Sequence, residues 1–231
     1  MSDHSTTGTV FKHKMNDVQK NEGEPVAKPA GKTSARRADL RERLVAVGRA
    51  AIAEGGLQHL KARDLAAAAG CAVGAIYNVF DDLDGLILRI GADTLARLEQ
   101  GLAAPPGPVP APAEELLRLS QGYLAFARAN KALWRALFEH RLADGRAAPA
   151  WYLDDQSRLF TLVEAPLAHL LPDEPAPSRA LLARTLFSAV HGVVLLGLEE
   201  KLTPMPEATL DAELERLVRA FAGGLTQRSL G

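Results

Sequence analysis

The sequence predicts an all-α fold, with an N-terminal three-helix unit joined to a larger C-terminal helical body. Three observations predict it. Ala and Leu dominate a chain that is 47% apolar but only 5% aromatic, a composition of strong helix formers. Apolar residues recur every three or four positions and long β-branched runs are missing, the pattern of amphipathic helices. Gly and Pro clusters then cut the chain into helix-sized pieces. At 231 residues a small domain fused to a larger one is the expected organisation.

Residues 1–35 carry no apolar period, and Lys12, Lys14, Lys20, Lys28 and Lys32 nearly offset Asp3, Asp17, Glu22 and Glu24. Ordering them would cost entropy that no burial repays, so this tail is expected to be disordered. It reads as a solvated linker or as a weak electrostatic arm. From Arg36, helical spacing of Leu40, Leu44, Val47 and Ala51 predicts a first helix that Gly55-Gly56 ends. A second, about 62–69, buries Leu65 and stops at Gly70; a third runs over about 73–79. Asp82 is the expected N-cap of a fourth, which continues through Leu86, Ile90 and Leu95 to about Gly101. The proline-rich stretch 103–112 breaks the pattern. Five more helices are predicted at about 113–129, 131–143, 149–171, 177–201 and 207–224, with Pro166 expected to kink or split the third of them. The expected boundaries are a 1–35 tail, a 36–86 N-terminal domain and an 87–231 C-terminal domain.

Composition narrows the function classes. The single Cys71 excludes an internal disulfide framework and a multi-cysteine zinc site. No secretory segment opens the chain, and no apolar run approaches the roughly 18 to 20 residues that span a bilayer, so a soluble cytoplasmic protein is expected. No paired carboxylates, Cys/His pair, phosphate-binding Gly loop or close His pair stands out, so neither an enzyme nor a cofactor or metal is expected. The net charge of −1 gives nucleic-acid binding no overall electrostatic help, and any such contact must be local.

The stretch from Leu60 to Phe80 has such a local logic. Two short helices share one turn: Leu65 and Ile76 face each other, Ala66 and Ala69 permit close approach, and Gly70 makes the turn. The second helix stays partly uncovered, and a major groove about 12 Å wide admits one helix. Together Gly70, the helix from Val73, Tyr77 to Phe80, Asp81-Asp82 and Leu86 resemble the N-terminal unit of the TetR/AcrR family of bacterial regulators over about 36–90. The resemblance implies a helix-turn-helix at about 61–80 that binds double-stranded operator DNA. It implies phosphate contacts from Lys61 and Arg63, a backbone contact from Tyr77, a base or phosphate contact from Asn78 and close backbone approach at Val73 and Gly74. Arg36, Arg37 and Arg41 fall where the family places an arm or first-helix phosphate contact. Taken singly, Arg63 could be solvated or paired nearby, Tyr77 a core tyrosine and Asn78 a local cap.

Departures from the family pattern matter too. Lys61 and Ala72 stand where Ser or Thr caps the two motif helices, a loss of roughly 1 kcal/mol each. Leu83 replaces a phosphate-binding Lys. From Arg36 to Leu86, Arg36, Arg37, Arg41, Arg43, Arg49, Lys61 and Arg63 meet Asp39, Glu42, Glu54, Asp64, Asp81, Asp82 and Asp84, which predicts modest non-specific affinity.

Farther on, His191-Gly192 in the run 185–194 resembles the His-Gly signature of the C-terminal domain type named for Trp, His and Gly, with Phe187 ahead of the pair. The apolar stripes of the last two helices predict a four-helix homodimer interface built from Leu186, Val190, Val193, Gly197, Leu214, Leu217 and Phe221. Aromatic residues concentrate between the ends, and Tyr123, Phe126, Trp134, Phe138, Trp151, Tyr152 and Phe160 are the candidate lining of a pocket for a small-molecule effector. The resulting expectation is a homodimeric repressor released by a ligand. A protein-interaction module with a weakened DNA-binding head, or a helical-bundle enzyme, would share the fold.

Overall fold

The computed structural model describes residues 30–103, 107–108, 110–199 and 206–228. Among these, the elements in chain order are α1 (Ala30–Gly55), α2 (Ala62–Ala68), α3 (Val73–Val79), α4 (Leu83–Leu102), α5 (Pro112–Ala129), α6 (Lys131–Glu139), α7 (Ala150–Leu170), α8 (Ala176–Glu199) and α9 (Glu207–Arg228), with single 3-10 turns at Leu57–His59 and Ala143–Gly145. The chain is all-α.

Three boundaries differ from expectation. Helix α1 starts six residues early, at Ala30, because strong helix formers such as Lys32, Ala35, Arg36 and Arg37 propagate it into solvent once Pro29 is passed. Residues 30–35 are therefore helical, and the rest of the expected tail lies outside the described residues. Helix α6 stops at Glu139, four residues early. His140 is extended, the Asp84 carboxylate accepts from the Ala143 N–H at 2.9 Å, and Asp144 and Gly145 take positive φ, so the segment is held off the helix axis. Helix α7 runs unbroken through Pro166, which is itself buried in the core.

Two large apolar cores result, beside a small cluster of Leu88, Ala92 and Leu95 of α4 with Tyr152 of α7. Around α1 to α3, Leu44, Ile52, Leu65, Ile76, Val79 and Phe80 pack with Leu86 and Ile90 of α4. The larger core gathers Leu98 and Leu102 of α4 with residues of α5 to α9, among them Leu116, Leu124, Trp134, Leu167, Val194 and Leu214. Helix α4 thus belongs to both cores. Leu133 and Ala136 of α6 also enter the N-terminal core, so the division expected at residue 86 is bridged by packing. Midway along α4, Asp93 pairs with Arg49 of α1 at 2.8 Å, and a Cβ at Gly91 would sit 2.8 Å from the Tyr152 hydroxyl of α7.

Ile76 is fully buried between α2, α3 and their supports. Truncation to Ala should cost about 2–4 kcal/mol of unfolding free energy, read as a lower urea midpoint with an unchanged slope.

Candidate nucleic-acid interface and ligand cavity

Helices α2 and α3 pack Leu65 and Ile76, 1% and 0% exposed, across a tight turn. Gly70 takes φ +65°; its N–H donates to Ala67 O at 3.2 Å and the Cys71 N–H to Ala66 O at 2.9 Å. These are the paired bonds of a Schellman helix end, which only a left-handed residue closes without strain. Opposite this packed face, Val73, Gly74, Tyr77 and Asn78 all face solvent, one patch of α3 at helical spacing. Tyr77 is 47% exposed, so it is not a core tyrosine. A Cβ at Gly74 would touch nothing within 4 Å, so packing within the chain does not require that glycine.

The basic residues divide sharply. Arg36, Arg37, Lys61 and Arg63 are exposed and make no ion pair among the described residues. Arg41 is half-buried: its guanidinium donates to Val79 O at 3.2 Å and lies 5.5 Å from the Phe80 ring, locking α1 to the end of α3. Arg43 pairs with Asp39, and Arg49 with Asp93. Neither Lys61 nor Ala72 makes a side-chain cap. Leu83 packs against the N-terminal core, which puts an apolar contact where a phosphate clamp was considered.

Behind the interface, the start of α4 is held from the far domain. Asp82 Oδ1 accepts from the Gly85 N–H at 2.7 Å and caps the helix. Arg146, on the α6–α7 loop, donates to Asp82 Oδ2 at 2.6 Å and Asp84 Oδ2 at 2.8 Å. The Gly85 bond first, then Arg146, hold the Asp82 carboxyl below its ordinary range. His140 Nε2 lies 3.3 Å from Asp84 Oδ1.

A cavity of about 270 Å³ opens among α4, α5, α6, α7 and α8. Of the seven aromatic candidates, Tyr123, Phe138 and Phe160 line it. Trp134 is fully buried behind it, and Phe126 packs on the C-terminal core. Trp151 lies against Arg89 at 4.2 Å, and Tyr152 lines a neighbouring space of about 560 Å³ under the α6–α7 loop. Most of the wall is aliphatic: Leu95, Leu98, Leu119, Leu159, Leu162 and Val190, with Phe187, were not anticipated as lining. Nothing in sequence distinguishes a leucine facing a cavity from one facing a helix.

Trp134 Nε1–H donates to the Tyr123 hydroxyl at 2.8 Å, and that oxygen lies 2.8 Å from His191 Nδ1. The ring centroids of Trp134 and His191 are 5.4 Å apart, which brings one of the chain's two tryptophans to its His-Gly pair. Burial pushes the Tyr123 phenol up and His191 down from its ordinary value, so both stay neutral near pH 7. The unfolded chain then binds the extra proton first. The stability that neutral His191 contributes is complete above its unfolded value of about 6.5 and is lost as pH falls through its lower folded value. Melting temperature should fall between pH 7.5 and 5.5, with a smaller fall in His191→Gln.

Helices α8 and α9 divide the expected dimer residues between a buried and a half-buried set. Leu186, Val190, Gly197 and Leu214 are buried within the single chain; a Cβ at Gly197 would meet Leu210 of α9 at 2.6 Å. The most apolar stripe of each helix faces its own core, where most burial is gained. Val193, Leu217 and Phe221 are half-buried on its shoulder. Helix α8 is nonetheless long and apolar enough to cross a membrane by composition, with mean hydropathy 1.8 and only 22% of that window buried, unlike the sequence expectation. Its outer face carries Leu181 and Leu196, 65% and 50% exposed, with Thr185 and Ser188 between them and Gly192 open alongside.

Residues 116–221 match the family model described as the tetracyclin repressor-like, C-terminal domain. The match spans a little under half of the chain and lies within α5 to α9. Its fold is shared by a Rhodococcus sp. RHA1 protein of unknown function (TM-score 0.63, 23% identity, 81% of this chain and 95% of that one). A TetR-family transcriptional regulator from Streptomyces coelicolor is similar at TM-score 0.60 and 20% identity, over 84% and 89% of the two chains. RolR, solved in complex with resorcinol, is similar at TM-score 0.59 and 18% identity, over 84% and 96%. No curated protein matches. The TetR fold places the α2–α3 unit as its helix-turn-helix and α5 to α9 as its C-terminal helical domain.

Proposed function

We propose that this chain is a regulator of the TetR family, a cytoplasmic homodimeric repressor that binds a pseudo-palindromic operator and is released by a small, mainly apolar effector. The observation that carries the reading is the exposed Val73, Gly74, Tyr77 and Asn78 face of α3, with the unpaired Lys61 and Arg63 on α2 and its N-cap. Phosphate contacts from Lys61, Arg63, Arg36 and Arg37 set orientation, while Tyr77 and Asn78 reach backbone and base edges. Arg41 positions α3 rather than touching DNA. Dimerisation through the outer face of α8, with the shoulders Leu217 and Phe221 of α9, sets two recognition helices about 34 Å apart, one turn of the duplex.

Release requires an effector with different affinities for the two states, since equal affinity shifts nothing. RolR's resorcinol is a precedent for a small ring in this fold. The path from cavity to DNA runs along α6: Phe138 lines the cavity, and the loop beyond carries Arg146 to Asp82 and Asp84 at the start of α4. Arg146→Ala should leave the melting temperature nearly unchanged, since the pair is exposed. It should alter the effector concentration needed for half-release of DNA, measured by anisotropy; an unchanged value would remove this loop from the mechanism.

Selection of bound duplexes from a random pool tests the function directly. A two-fold symmetric motif with half-sites one helical turn apart is expected. Recovery of unselected sequence would count against a specific regulator.

A further inference from the structure

We propose, building on the effector-site reading above, that the cavity takes an uncharged molecule of about one ring and a few carbons carrying a hydroxyl, which donates to Ser120 Oγ or Tyr123 Oη.

Size comes first. A dry apolar cavity of about 150 Å³ holds one benzene ring, and the remainder of the 270 Å³ corresponds to about four further water-sized units of roughly 30 Å³. The charge follows from the wall. Among the described residues no Asp, Glu, Lys, Arg or His lines the cavity, so a bound carboxylate or ammonium would lose its water and gain no counter-charge there.

Hydrogen bonding narrows the class further. Ser120 and Tyr123 lie three residues apart on one face of α5 and both line the cavity. The Ser120 hydroxyl donates to Leu116 O at 2.8 Å, so its proton is used and its lone pairs remain. Tyr123 accepts from Trp134, and with His191 in the tautomer whose Nδ1 accepts, it gives its own proton to that nitrogen; the other tautomer leaves that proton without a protein acceptor among the described residues. One lone pair remains on Tyr123 as well. These two groups therefore present acceptors and no donors to the cavity. The remaining polar group, Gln156, lies between the two spaces and bonds to Tyr152. A hydroxyl donor complements the Ser120–Tyr123 part of this wall; an ether, ketone or carboxylate does not.

Calorimetric titration of the full chain at pH 7.5, without DNA, tests this with 4-propylphenol, 4-propylanisole and 4-propylbenzoate. The phenol should bind about tenfold more tightly than the anisole, the worth of one hydrogen bond, and the benzoate should not bind measurably. In the Ser120→Ala/Tyr123→Phe double variant the gap between phenol and anisole should close while anisole affinity stays within about twofold. Benzoate binding as tightly as phenol, equal phenol and anisole affinities, a gap that survives the double variant, or no binding by any probe overturns the proposal. Tyr123→Phe leaves the Trp134 indole without its acceptor, and the three-probe comparison in the unaltered chain decides the matter should that variant fail to fold. With no DNA present, a negative outcome rejects the ligand class and leaves the operator selection to judge the regulator reading separately.

Discussion

Arg63→Ala combined with Tyr77→Phe is expected to weaken operator binding about a thousandfold. Each change deletes one contact worth roughly 1 kcal/mol, and two-fold symmetry repeats both, so about 4 kcal/mol is lost. Both side chains are exposed and neither supports the core, so the melting temperature should stay within a degree or two of the parent. The slope of log affinity against log salt should also shrink, because two phosphate-neutralising charges are removed per dimer. Fluorescence anisotropy on the selected operator, repeated at several salt concentrations, reads both quantities. An unchanged affinity in the folded double variant would falsify the assignment of this face.

Leu196→Asp is the second large effect. Leu196 is 50% exposed on the outer face of α8, so the isolated chain tolerates a carboxylate there. In a two-fold interface the substitution buries two unpaired charges, each costing several kcal/mol. The dimer should dissociate at micromolar concentration in sedimentation velocity, with far-ultraviolet helicity retained and operator binding lost alongside. Leu214→Asp is the contrast. That residue is 0% exposed in the chain's own core, and its substitution should unfold the C-terminal domain. A Leu196→Asp chain that stays dimeric would move the interface off α8.

The helix-turn-helix was legible because its signals are local. Leu65, Ala66, Ala69, Gly70 and Ile76 each do what their spacing implies, and the bounds of α3 match the expected 73–79. Asp82 likewise caps α4 as its position before Leu83 suggests. Long-range features were not legible. A count of charges from Arg36 to Leu86 treats Asp82 and Asp84 as neighbours that weaken the DNA face, yet Arg146 pairs with both from some sixty residues away. Arg41 was grouped with phosphate contacts because periodicity cannot show that Val79 O and the Phe80 ring occupy it. The expected dimer residues divide between buried and half-buried positions for a related reason. An apolar stripe says that a helix has a buried side, and Leu186, Val190 and Leu214 spend theirs inside the chain. Aromatic residues were an equally coarse guide to the cavity, since Trp134 and Trp151 are held by Tyr123 and Arg89.

Because α4 belongs to both cores, any tilt of it would move both. Its twenty residues span about 30 Å, and near the middle Asp93 is tied to Arg49 while Gly91 sits hard against Tyr152, a natural fulcrum. A tilt of about 5° about that point displaces each end by roughly 1.3 Å over a 15 Å arm. In a two-fold dimer the displacements of the two reading heads oppose one another, changing their separation by about 2–3 Å against a helical repeat of about 34 Å. A displacement of about 1.3 Å at the effector end is roughly the extension that one added methylene gives an alkyl chain. If the chain is the ligand-released dimer proposed above, an effector a carbon or two larger than the resting cavity would supply enough travel to throw both heads out of phase with the duplex.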